Sequence, residues 1–208
     1  MKRNFTNKLV KWSQNSNRKP LMVYGARQIG KTYCIVDFCK KNFKRHIYIN
    51  FEKDREAYKF FENNLDPKTI IQKIQSRLEI DFDPKKDILF LDEIQECPLA
   101  ITSLKYFCEE MQELRVVAAG SLLGVKVGEA SYPVGKVDIL EMQPMSFEEF
   151  LGACAHHNLI SGFKNFSIGE ETSTVLHEKL WEYFKYYLIV GGMPEVVKAF
   201  AENKSDLN

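Results

Sequence analysis

Between Leu21 and Met142 the chain alternates short, nearly unbroken apolar runs with longer stretches in which apolar residues recur every three or four positions. Leu21–Tyr24, His46–Glu52, Asp87–Glu93, Arg115–Ala119 and Lys136–Met142 are the short runs, and each reads as a strand. DILFLDE contains a continuous apolar run closed by two carboxylates and RVVAA reads as a second buried strand, the mark of strands covered on both faces in a parallel sheet. Between them, helices are expected over Lys31–Asn42, Asp66–Leu78 and Pro98–Gln112. The second has a clear start signal, with Asp66 as N-cap and Pro67 in the first helical position. Another helical stretch is read over Arg55–Asn63, and an N-terminal helix over Phe5–Asn15. The result is an α/β fold built on a parallel five-stranded sheet flanked by helices.

From Ser146 the pattern turns purely helical. Ser146 and Glu149 form a capping box ahead of an apolar stripe. His156–Val175 reads as polar and irregular, then Leu176–Leu188 as an aromatic helix whose stripe of Leu180, Trp181, Phe184, Tyr187 and Leu188 is assigned to core. Gly191-Gly192-Met193-Pro194 turns the chain into a last helix from Glu195. Residues 1–145 are therefore expected to form the α/β domain, and 146–208 a small all-helical lid or linker.

Composition narrows the class. Over 208 residues the net charge is only +1, so no polyanion-binding surface is advertised. Five cysteines without a CxxC pair suggest reduced thiols and no zinc ribbon. The chain shows no signal peptide and no apolar run of membrane-spanning length, so a cytoplasmic protein with no membrane partner is expected.

The chemistry concentrates after the first strand. Gly25, Gly30, Lys31 and Thr32 satisfy the spacing GxxxxGK[ST]. Glycines let the backbone wrap an anion, the loop amides and helix start face it, and Lys31 adds a positive charge. The loop residues Gly25, Ala26, Arg27, Gln28, Ile29, Gly30, Lys31, Thr32 and Tyr33 are the candidate nucleotide cradle. At the end of the Asp87–Glu93 run, Asp92 and the Thr32 hydroxyl are candidate Mg2+ anchors, and Glu93 is placed to orient an attacking water. Ser121, after the buried RVVAAG run, would reach the γ-phosphate or the water. Arg27 is a charge able to reach phosphate in cis, and Asn50 is a candidate to hold Glu93.

GARQIGKT, ILFLDEIQECP, VVAAGSLLG, SYPVGKVDILEMQPMSFEEFL and YLIVGGMPEVV resemble, in order and spacing, the bacterial and archaeal ATPases of the AAA-14 type, which usually carry a C-terminal DUF4143 domain. The resemblance covers nearly the whole chain. It implies an AAA+-like P-loop NTPase of the additional-strand, catalytic-glutamate class, with the Ser121 strand inserted between the P-loop strand and the Asp92 strand. It implies Mg-dependent ATP hydrolysis, with ATP and ADP as ligands and Glu93, Lys31, Ser121 and Arg27 in the reaction. A homo-oligomer, and a DNA or protein partner engaged through a C-terminal domain beyond Asn208, stay open. Relatives often have Gly-Arg where this chain has Gly135-Lys136. After Arg77 the only arginine is Arg115, so a finger supplied in trans would come from Arg115, Arg55, Arg77 or a missing part, and hydrolysis by the chain alone is expected to be slow.

Two alternatives belong to other classes. One is a nucleotide-operated binding switch that hydrolyses little, and the other is a P-loop small-molecule kinase. The kinase would want arginines over the phosphates and has no need of Glu93. Asn203-Lys204-Ser205-Asp206 matches a guanine-reading string, but it lies in a polar tail and is read as chance.

Overall fold

The computed structural model describes residues 2–121, 133, 135–164 and 174–205. Five strands form one sheet: β1 (Leu21–Tyr24), β2 (His46–Asn50), β3 (Ile88–Asp92), β4 (Arg115–Gly120) and β5 (Asp138–Glu141). Their order is β2-β3-β4-β1-β5, and every pairing is parallel. The expected fold class is therefore present, and β4 lies between β1 and β3. Because parallel neighbours need crossovers, helices run between the strands: α2 (Lys31–Asn42), α3 (Pro67–Leu78) and α4 (Pro98–Glu110), with α1 (Phe5–Gln14) ahead of them.

Two compact units share the chain. The larger holds Phe5–Arg27 and Lys31–Met142, and the smaller holds Met1–Asn4, Gln28–Gly30 and Gln143–Asn208. In the larger unit every residue of β1 and β3 is buried, which explains their unbroken apolar composition. Met22, Leu89, Leu91, Val116 and Ala118 share a core cluster with Ile70 and Ile74 of α3 and Leu104 and Phe107 of α4. The start of α3 follows its local signal, as the Asp66 carboxylate accepts from the Thr69 N–H at 2.8 Å. Arg55–Phe60 is a 3-10 turn, shorter than the helical stretch expected there.

The smaller unit contains α5 (Phe147–Ala153), α6 (His157–Lys164), α7 (Thr174–Val190) and α8 (Pro194–Ser205). The capping box of Ser146 and Glu149 is formed. Two expectations are corrected. The irregular stretch after His156 contains α6, whose Leu159 is buried, and a Cβ on its Gly162 would come within 2.7 Å of Leu176. On α7, Tyr183 rather than Trp181 turns inward. Trp181 is 51% and Leu188 66% exposed, so the aromatic stripe is only partly core.

Candidate functional site

Since all strands are parallel, their carboxyl ends lie along one edge of the sheet. The register places Asn50 beside Asp92 and Tyr24 beside Gly120. Ser121 follows Gly120 directly and is half-buried. Thus the loop after β1, the carboxylates after β3 and the hydroxyl after β4 leave the sheet on one side, where open α/β sheets bind their ligands.

The loop after β1 turns sharply. Gly25 has φ +154°, Gly30 φ +87° and Gln28, without a glycine's freedom, φ +64°. Lys31 opens α2 and is only 8% exposed. Its Nζ donates to the carbonyls of Gly25 at 2.9 Å and Ala26 at 2.7 Å, so the side chain folds back over the loop that precedes it. Burial lowers the Lys31 pKa, while Glu93 and Asp92 act to raise it and Arg27 to lower it. Arg27 and Tyr33 are exposed, Tyr33 at 66%.

Asp92 is the hub. It is 2% exposed, and its Oδ2 accepts from Thr32 Oγ1 at 2.9 Å, Tyr48 Oη at 3.0 Å and Asn50 Nδ2 at 3.2 Å. Burial still raises its carboxyl pKa, with the Thr32 and Tyr48 hydrogen bonds acting the other way. The Tyr48 hydroxyl is pushed up to about 12, chiefly by burial. Glu93 has φ +50° and ψ +44°, a left-handed conformation that turns the chain out of β3. Its Oε2 accepts from Gln95 Nε2 at 2.6 Å. Asn50 therefore donates to Asp92, not to Glu93 as expected, and the amide that donates to Glu93 is that of Gln95.

Tyr48 and Gln95 were not singled out from the sequence. Tyr48 was legible in principle, since alternation along β2 puts residues 48 and 50 on one face. Two of the arginines named as finger candidates, Arg115 and Arg77, have other partners. Arg115 donates to the carbonyls of Lys85 and Ser13 and lies over the Phe43 ring, and Arg77 pairs with Asp54 at 3.0 Å. Lys136 binds Glu109 at 2.8 Å. Of the guanine-reading string, Asn203 falls in α8 and Asp206 lies outside the described residues, as do Leu122–Gly124 of the VVAAGSLLG segment.

Among the described residues no helix is long and apolar enough to cross a membrane. An uncharacterized protein of Methanocaldococcus jannaschii, MJ1544, is 29% identical over 188 residues, covering 88% of this chain and 37% of that protein. The chain thus spans little more than a third of this curated relative. Among solved structures, DnaA from Aquifex aeolicus, bound to AMPPCP, superposes with a TM-score of 0.51 at 16% identity, over 98% of this chain and 60% of its own. The Aeropyrum pernix ORC1 protein, in complex with DNA, gives 0.48 at 15% identity, over 98% and 59%. At 16% identity the likeness to DnaA concerns the fold. The pattern defining the AAA domain of the AAA_14 type matches residues 17–151, from ahead of β1 into α5, and the chain belongs to that family of P-loop ATPase fold.

Proposed function

We propose that the chain binds Mg-ATP in the loop Gly25–Thr32 and hydrolyses it slowly, coupling occupancy of the loop to a conformational change or a macromolecular partner. The observation that carries this reading is the Thr32–Asp92 hydrogen bond at 2.9 Å, beside a buried Lys31. A hydroxyl and a carboxylate at contact distance suit a hard cation that takes few protein ligands and fills its shell with phosphate oxygens and water. Magnesium, when bound, would supply positive charge that neutralises the phosphate oxygens.

The chain's own groups have separate tasks. Lys31 exchanges its two carbonyl partners for phosphate oxygens, and the loop amides donate to them. Thr32 and Asp92 would hold the cation. Glu93, released from Gln95, accepts a hydrogen bond from the attacking water and takes up its proton as the oxygen bonds to the γ-phosphorus and the bridging P–O bond breaks, ADP leaving with that electron pair. Ser121 and Arg27 stabilise charge on the transferred group. That DnaA of like fold is solved with AMPPCP supports the nucleotide reading.

The 2.6 Å contact of Glu93 with Gln95 favours a second reading, a switch that binds nucleotide and turns it over little. Calorimetric titration with Mg-ATP and a phosphate-release assay separate the two. Lys31→Ala is expected to abolish binding, and Glu93→Gln to keep binding and lose turnover. Undiminished affinity in Lys31→Ala refutes the cradle, and equal turnover in Glu93→Gln and the parent leaves the switch.

A further inference from the structure

The smaller unit contains a buried cation that the reaction above does not use. Arg3 is 8% exposed. Its Nη1 donates to the Ile29 carbonyl at 2.8 Å, and its Nη2 donates to the Gln143 carbonyl at 2.7 Å. Its Nε faces Glu149 Oε1 at 3.2 Å, an ion pair whose angle does not make a hydrogen bond. Glu149 is itself saturated, since Oε1 accepts from the Asn4 N–H at 2.6 Å and Oε2 from the Ser146 N–H at 3.0 Å. One guanidinium therefore joins the crown of the phosphate loop to the start of α5. At the crown, a Cβ on Gly30 would lie 3.7 Å from Pro194 Cγ, the first residue of α8.

The Ile29 oxygen and the Gly30 N–H belong to one peptide plane, and in a trans peptide they point opposite ways. Arg3, by holding the oxygen, fixes the direction of the Gly30 N–H. Gly30, at φ +87°, is a residue whose permissive backbone would otherwise allow that peptide to turn over. We propose that Arg3 is a positioning residue: it fixes the Ile29–Gly30 peptide in its anion-binding orientation, and through Gln143 and Glu149 it transmits occupancy of the loop to α5 and, through the stacking of Phe150 on Phe200, to α8. The inference rests on the nucleotide reading of the loop.

Arg3→Lys tests it, because lysine keeps the charge against Glu149 but replaces a fork of donors by one nitrogen. Mg-ATP affinity is measured by calorimetry, and amide hydrogen exchange is followed with and without saturating Mg-ATP. In the parent, nucleotide is expected to slow exchange at the first turns of α2, α5 and α8. In Arg3→Lys, affinity should fall roughly tenfold, as for loss of a charge-assisted hydrogen bond. Protection at saturation should remain in α2 and vanish in α5 and α8. Where Arg3→Lys loses helix content without nucleotide, Arg3→Ala with millimolar guanidinium takes its place: recovered affinity supports the link, and no recovery overturns it. Parental affinity with parental protection of α5 and α8 in the variant overturns the inference. A parent that binds nucleotide without protecting α5 and α8 overturns it alone, whereas a parent that binds none overturns the nucleotide reading as well.

Discussion

Asp92 should weaken the nucleotide-free fold that it serves. Its neighbours on Oδ2 are two hydroxyls and an amide, and none of these carries the positive charge that would offset burial. The carboxyl pKa is raised, so the neutral form suits the folded site better than the charged one. The sign follows from linkage. A group whose folded pKa exceeds its unfolded value adds stability below the unfolded pKa, about 3.9 for aspartate, and loses it as pH rises through the folded value. At neutral pH the ionised Asp92 is therefore a net liability, of about 1.4 kcal/mol for each tenfold difference in its proton affinity between the folded and unfolded chain. Asp92→Asn removes the charge and keeps one oxygen for Thr32, Tyr48 and Asn50. Against this gain, the bonds to that oxygen lose their charge assistance, and the Glu93 N–H loses an acceptor, at about 1 kcal/mol. On balance Asp92→Asn should stabilise the nucleotide-free chain, at roughly 2–4 °C in Tm for each kcal/mol gained. With Mg-ATP at a hundred times Kd the parent should gain about 2.7 kcal/mol, and the variant should show no magnesium-dependent gain. Differential scanning fluorimetry with and without Mg-ATP would show the order of stabilities invert. An Asp92→Asn chain that melts below the parent without ligand, or that keeps the magnesium-dependent rise in Tm, refutes the argument.

Other elements give sharp outcomes. A Cβ at Gly192 would lie 2.4 Å from the Met145 oxygen and 2.9 Å from its nitrogen, while the Met145 N–H donates to the Gly192 carbonyl at 2.7 Å. Gly192→Ala should therefore lower stability by about 3 kcal/mol and loosen the aromatic packing, read as lost near-ultraviolet dichroism, and an unchanged spectrum and Tm would count against it. Burial pushes the Cys39 thiol up to about 12, so its contribution is intact below pH 9.0 and fades as pH rises toward the folded value. Urea unfolding across that window should lose up to about 1.4 kcal/mol per pH unit on this account, and Cys39→Ala should flatten the slope. A variant with the parent's slope would clear Cys39. Glu93 holds a left-handed backbone, which strains any residue with a Cβ. Glu93→Gly should raise stability by about 1 kcal/mol while abolishing turnover, and Glu93→Gln should abolish turnover without the gain; equal Tm values for the two would remove strain from the account.

Some of these features were legible in the sequence because they are written in residue types. β1, β3 and β4 were visible because burial on both faces leaves unbroken apolar runs, and α3 and α5 because Asp66 and Ser146 announce their starts. The helix α6 was missed because Ser161-Gly162 interrupts its apolar spacing, although it is Gly162 that gives room for Leu176. The Trp181 stripe was read as core because composition does not say how much neighbouring surface is available to cover it. At the candidate site, Lys31 and Thr32 stand out through the loop spacing and Asp92 through its place at the end of an apolar run, since phosphate and cation chemistry restricts which side chains serve. Tyr48 and Gln95 act only through a neighbour's carboxylate, a task open to many donors, so their identities alone carry little signal. Arg3 is the extreme case. Two of its partners are main-chain carbonyls, which every residue possesses, and the third is a glutamate already explained by its capping box. A contact made to the backbone leaves no mark on its partner's identity, so the link between the phosphate loop and α5 enters only with the fold.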